Sequence, residues 1–233
     1  MENTDKTLVV TDVHDNFALV KKIIELEKPS IIIDGGDHSD ISFFNYGIET
    51  FLIPGNHEPT EILEEDLFKA VANEKNYFLT LVSPGKKYES HDLSIAGFGK
   101  NYSNKEWNNK SSKRYMTFTE YHSMKKLKDV DLLITHEAPK CLELFNRGEN
   151  VGLNYIDDII KTINPKIAIS GHHHKYKEFS SGKTKLISLP DVSEGYGLIS
   201  KDIKGNIEFE YKTTVKTIGP NYWSMVSKRH NHP

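Results

Sequence analysis

Short apolar runs alternate with stretches of helical period through the first half of the chain. TLVVTD at 7–12 reads as a strand, and NFALVKKIIELE at 16–27 as a helix with Phe17, Val20, Ile23 and Ile24 on its apolar side. SIIID at 30–34 and TFLIPG at 50–55 read as buried strands, and EILEEDLFKAVANE at 61–74 as a second helix. After Asn76 the pattern changes to paired strands, YFLTLVS and KYESHDLSIAGFG, joined at Pro84-Gly85. DLLITH at 131–136 and KIAIS at 166–170 are further strands, separated by a helix around YIDDIIKTI. The C-terminal part reads as two hairpins turning at Ser181-Gly182 and Gly205-Asn206. The polar stretch 100–118 reads as a long loop. Helix-strand units followed by antiparallel strands predict a layered α/β fold, two sheets with helices outside, over a single domain of residues 1–233.

Composition changes this picture little. With 233 residues, 37% hydrophobic and 27% charged, the chain can bury one substantial core. A net charge of −3 provides no general attraction to nucleic acid or to anionic membranes. One cysteine, Cys141, excludes an internal disulfide. The N-terminus lacks a signal-peptide pattern, and no apolar run approaches the ~20 residues of a membrane span. The expectation is a cytoplasmic globular protein.

Candidate chemistry gathers where the strands end, the usual place for sites in open α/β sheets. Asp12 and His14 follow the first strand, Asp37 and Asp40 the second, and Asn56, His57 and Glu58 the third. His136 closes ITH, and GHHH at 171–174 follows KIAIS. On an extended segment His172 and His174 would face one way and His173 the other, suggesting two ligands and a bystander. Each piece alone has an ordinary explanation: a cap, a turn or a packed histidine. Together, carboxylates and imidazoles in this number could hold two first-row divalent metals.

In this order the blocks DVH, GDHSD, GNHE, TH and GHHH, between residues 12 and 174, resemble the calcineurin-like metallophosphoesterases. The resemblance implies a two-layer β-sandwich flanked by helices, with a dinuclear centre at the sheet ends. It implies that Asp12, His14 and His174 hold one metal, Asn56, His136 and His172 the other, and that Asp37 bridges them. His57 is expected to protonate the leaving group and Asp40 to orient it; the Asn56 amide is expected also to reach a phosphate oxygen. Manganese, iron or zinc would suit the donors.

The chain departs from the family's protein phosphatases, whose second and third motifs carry phosphate-gripping arginines. Pro54 stands where one would precede Gly55. Asp15 replaces the glycine that commonly follows the first-motif histidine; a helix N-cap is one reading of it, tuning of the metals another. ITHEAPK and NPKIAISGHHH are similar to the small phosphodiesterase-like members. The loop at 100–118 mixes Lys100, Lys105, Lys110, Lys113 and Arg114 with Tyr102, Trp107 and Tyr115: a nucleotide contact, or a solvated loop with tucked-in aromatics. Arg114 and Arg147 are candidate substrate contacts, while His38, His91, His122, His230 and His232 match no ligand position. The expected activity is hydrolysis of a small or nucleotide-like phosphodiester, with no duplex nucleic acid and no membrane as partner. Alternatives are a phosphomonoesterase, a nuclease or a non-catalytic scaffold.

Overall fold

The computed structural model describes residues 5–39, 46–59, 78–103, 105, 107–109, 112, 114–214 and 218. The β-branched runs form strands buried on both faces, and these make two sheets packed face to face. The first sheet orders β14 (Ile207–Thr213), β13 (Gly195–Lys201), β1 (Lys6–Val10), β2 (Ile31–Asp34), β3 (Glu49–Leu52) and β4 (Leu79–Leu81). The second orders β11 (Lys177–Ser181), β12 (Thr184–Ser188), β10 (Ile167–Ser170), β7 (Leu132–Thr135), β6 (Leu93–Phe98) and β5 (Lys87–Ser90). Both are mixed: β1 to β4 run parallel with β13 and β14 antiparallel, and the central pairs β6-β7-β10-β12 run parallel inside antiparallel edges. This is the expected α/β sandwich.

Alternation decides which side chain goes where. Val9, Ile31, Ile33 and Phe51 meet Ile95, Leu132, Ile134, Ile167 and Ile169 between the sheets. The intervening Leu8, Val10 and Ile32 pack outward on Leu19, Val20 and Ile23 of α1 (Phe17–Glu27). On the far side Leu133, Ala168 and Leu186 pack on Ile156, Ile159, Ile160 and Ile163 of the helix at Asn154–Ile163. Full burial of each aliphatic side chain contributes about 1.5–3 kcal/mol. A third helix, Phe118–Lys125, starts at a capping box in which Thr117 and Glu120 satisfy each other's backbone N–H groups. Left-handed residues at Lys28 and Asn164 stop the two longer helices just before Pro29 and Pro165.

Both C-terminal hairpins form as expected, β11 with β12 and β13 with β14. The pairing expected across Pro84-Gly85 does not. β4 pairs with β3 in the first sheet, whereas β5 pairs with β6 in the second, so Pro84-Gly85 carries the chain between sheets. The hairpin turn lies instead at His91-Asp92, both at positive φ. Leu19 is buried on α1 where Ile24 is only partly so. The helix expected at 61–74 lies outside the described residues. Among the described residues no helix is long and apolar enough to cross a membrane.

Candidate metal centre

Seven polar side chains converge from loops just past five strands: Asp12 and His14 after β1, Asp37 after β2, Asn56 after β3, His136 after β7, and His172 and His174 after β10. Backbone bonds stitch these loops together. His14 N–H donates to the Asp37 carbonyl at 3.0 Å, and Gly171 N–H to the His136 carbonyl at 3.1 Å. Asp12, His14, Asp15, Asp37, His172 and His174 all have φ between 46° and 66°, a conformation that costs energy in non-glycine residues and concentrates at functional sites. The three histidines are therefore not on an extended segment. β10 ends at Ser170, and left-handed backbone at His172 and His174 aims their rings at different partners.

One donor atom each from Asp12, His14, Asp37 and His174 lie within 4.8 Å of one another. His14 Nε2 is 3.4 Å from His174 Nε2, and His174 Nε2 is 3.3 Å from Asp12 Oδ1. Beside this group, His136 Nε2 lies 3.0 Å from Asn56 Oδ1 and 3.1 Å from His172 Nδ1. Asp37 touches both groups: Oδ2 is 3.9 Å from His14 Nε2, and Oδ1 is 3.5 Å from His136 Nε2. Facing imidazole nitrogens with carboxylates between them suit divalent cations, so the donor set fits the metals that the family resemblance implies.

The electrostatics follow from this crowding. Burial opposes ionisation of Asp12, but the His174 hydrogen bond, the His136 and His174 rings and the His172 N–H hold its carboxyl below the usual range. The same hydrogen bond raises His174. Burial lowers His172, with the His136 ring adding to the effect, and pushes His173 down to about 4. Burial raises Glu137 to about 7, reinforced by Asp37 and Asp12.

His57 is exposed beside the cluster, its ring centroid 5.4 Å from that of His14, and its backbone N–H donates to Asp37 Oδ1 at 3.2 Å. Asp40, its expected orienting partner, lies outside the described residues. Arg114 is brought in: its Nη1 donates to the Asn56 carbonyl at 3.0 Å. Arg147 is exposed in the turn of a small ribbon, β8 (Phe145–Asn146) against β9 (Glu149–Asn150). In the 100–118 loop Trp107 is half-buried and meets Tyr121 at a tilt, whereas Tyr102 stacks on Tyr155 while staying exposed. Lys100 is held by Glu120 at 2.5 Å. Lys110 and Lys113 lie outside the described residues. Asp15 is not a helix cap: Asn16 holds that position, and the Asp15 carboxylate accepts from Ser39 N–H at 2.9 Å and from the Ser39 hydroxyl.

Other polar groups near the centre had no role assigned from the sequence. Buried Glu58 accepts from Gly55 N–H at 2.7 Å and His38 N–H at 3.2 Å, clasping the second and third motif loops; burial raises it to about 7. His38, assigned no role, is fully buried 3.0 Å from Asp34. Asp191 Oδ2 stands 4.0 Å from His14 Nε2, more than a hundred residues away in sequence. Only Glu58 had a local signal, the last place of GNHE. A cleft of about 300 Å³ opens beside the three histidines, walled by Leu144, Phe145 and Val151.

The family pattern of calcineurin-like phosphoesterases matches residues 6–176, a span holding all seven convergent residues. The chain belongs to that family. No curated protein matches it in sequence. Among solved structures, the phosphoesterase chain is similar to a Thermus thermophilus protein at TM-score 0.66 and 16% identity, covering 91% of this chain and 100% of that one. It is similar to a novel archaeal phosphodiesterase at TM-score 0.50 and 14% identity, with 89% and 99% covered. A putative 5'-nucleotidase from Staphylococcus aureus aligns at TM-score 0.56 and 16% identity, covering 91% of this chain and 54% of that one. At such identities the likeness shows a shared fold.

Proposed function

We propose that this phosphoesterase hydrolyses small or nucleotide-like phosphodiesters at a centre of two divalent metals, manganese, iron or zinc. The observation that carries the proposal is Asp37, whose two carboxylate oxygens face the two donor groups at 3.9 and 3.5 Å. In this reading Asp12, His14 and His174 hold one ion, Asn56, His136 and His172 the other, and Asp37 both. Such a pair of cations supplies an acidified water and neutralises charge on the phosphoryl oxygens. His57, exposed at the rim, delivers a proton to the departing oxygen, and Asp40 is the candidate to orient it. The Asn56 amide and the Arg114 guanidinium hold a phosphoryl oxygen, and the cleft at Phe145 receives one arm of the ester.

Charge favours the diester. Asp15 and Asp191 add carboxylates beside His14, and no arginine lies in the motifs. A diester brings one negative charge to this acidic rim, whereas a monoester dianion brings up to two. Arg114 is the one observation favouring a phosphomonoesterase, since a guanidinium fork suits a dianion. Hydrolysis of bis-p-nitrophenyl phosphate against p-nitrophenyl phosphate, with manganese and an Asp37→Ala control, decides between them. A diester preference lost in the control supports the proposal; a monoester preference replaces it with the phosphatase.

A further inference from the structure

We propose that Glu137 is the carboxylate that orients His172, and that His173 braces that carboxylate from its other side. This rests on reading Asn56, His136 and His172 as one set of metal donors.

An imidazole that gives one nitrogen to a metal carries its proton on the other, and the acceptor found there selects the tautomer and fixes the ring. His172 Nδ1 points into the donor set, 3.1 Å from His136 Nε2. Its Nε2 points away, 3.6 Å from Glu137 Oε1. The other Glu137 oxygen, Oε2, lies 3.8 Å from His173 Nε2, a buried nitrogen with no hydrogen-bond partner. Glu137 is largely enclosed, its side chain 12% exposed, and its two oxygens face the rings of His172 and His173. A buried carboxylate between two imidazoles is costly unless both present N–H to it.

Both separations exceed a direct hydrogen bond, so this role requires the Glu137 side chain to shift toward the two rings. The backbone is already placed for this: Glu137 follows the donor His136, and its carbonyl accepts from Thr135 Oγ1 at 2.7 Å. The rings of His172 and His173 meet edge to face with centroids 4.9 Å apart, so movement of either disturbs the other. The middle histidine of GHHH thereby gains a task that touches no metal: it is the second support of the acid behind His172.

The test is calorimetric titration of the metal-stripped full chain with manganese(II), comparing wild type, Glu137→Ala, Glu137→Gln, His173→Ala and His172→Ala. Two binding events are expected in wild type. Glu137→Ala should weaken one event about 10–100-fold and leave the other unchanged. Glu137→Gln, which keeps an acceptor oxygen, should restore part of the loss, and His173→Ala should weaken the same event less while keeping full stoichiometry at saturation. Wild-type affinities in Glu137→Ala, or equal weakening of both events, overturns the proposal. His172→Ala separates the two failures: if it keeps both events, the donor-set reading falls, and if it loses one while Glu137→Ala is silent, only the role of Glu137 falls. Should Glu137→Ala not fold, Glu137→Gln against His173→Ala decides, since unaltered binding in both contradicts the proposal.

Discussion

Asp37 and His136 follow strands of different sheets, β2 and β7, yet Asp37 Oδ1 lies 3.5 Å from His136 Nε2. Gly55 makes the approach possible, because a Cβ there would stand 2.0 Å from Asp37 Oδ1 and 2.6 Å from His136 Cε1. Gly55→Ala must therefore push these two side chains apart. The expected outcome is a protein that folds but retains clearly less metal than wild type, measured by elemental analysis after dialysis. Full metal content in the folded variant would refute it.

His57 makes a split prediction. Protonating a poor leaving group is worth about 100-fold or more, while p-nitrophenolate departs without help. His57→Ala should lose at least that factor on an alkyl phosphodiester and far less on the nitrophenyl ester. Equal losses on both would place the histidine in binding instead.

Arg114 reaches the Asn56 carbonyl from a loop far along the chain. If its remaining donors hold substrate, Arg114→Ala should raise KM about 10-fold with a smaller change in kcat, and Arg114→Lys should recover part of that. Unchanged steady-state constants would mean that the contact only pins the loop.

Stability should depend on acid through Glu27, at the end of α1. Burial opposes its charge, but Lys212 at 2.9 and 3.0 Å, the Tyr196 hydroxyl at 2.7 Å and Lys6 at 3.7 Å hold its carboxyl below the ordinary 4.5. A depressed carboxyl stabilises the fold above its unfolded pKa, and this contribution disappears as pH falls through the folded value. Glu27→Gln should cost about 2 kcal/mol at pH 7 in urea unfolding. The gap from wild type should narrow below about pH 4.5. A gap that stays constant with pH would show that packing, not charge, is what Glu27 supplies.

Local pattern was enough for much of this molecule. Short continuous apolar runs such as Ile31 to Ile33 marked buried strands, Gly182 and Gly205 marked hairpins, and the ligand-type residues stood at strand ends in family order. These are properties of neighbours in sequence, where backbone geometry alone links residue type to conformation. Pro84-Gly85 misled because a turn signal does not say whether the chain returns to the same sheet. The histidine triplet misled because left-handed backbone at His172 and His174 is imposed by the loops around it. Glu58 between two motif loops, Asp15 on Ser39, Arg114 on Asn56, Glu137 behind His172 and Asp191 beside His14 belong to the tertiary structure. Each depends on where separate loops come to rest once the sheets have packed, and that is settled by the summed burial of both faces rather than by any stretch of residues.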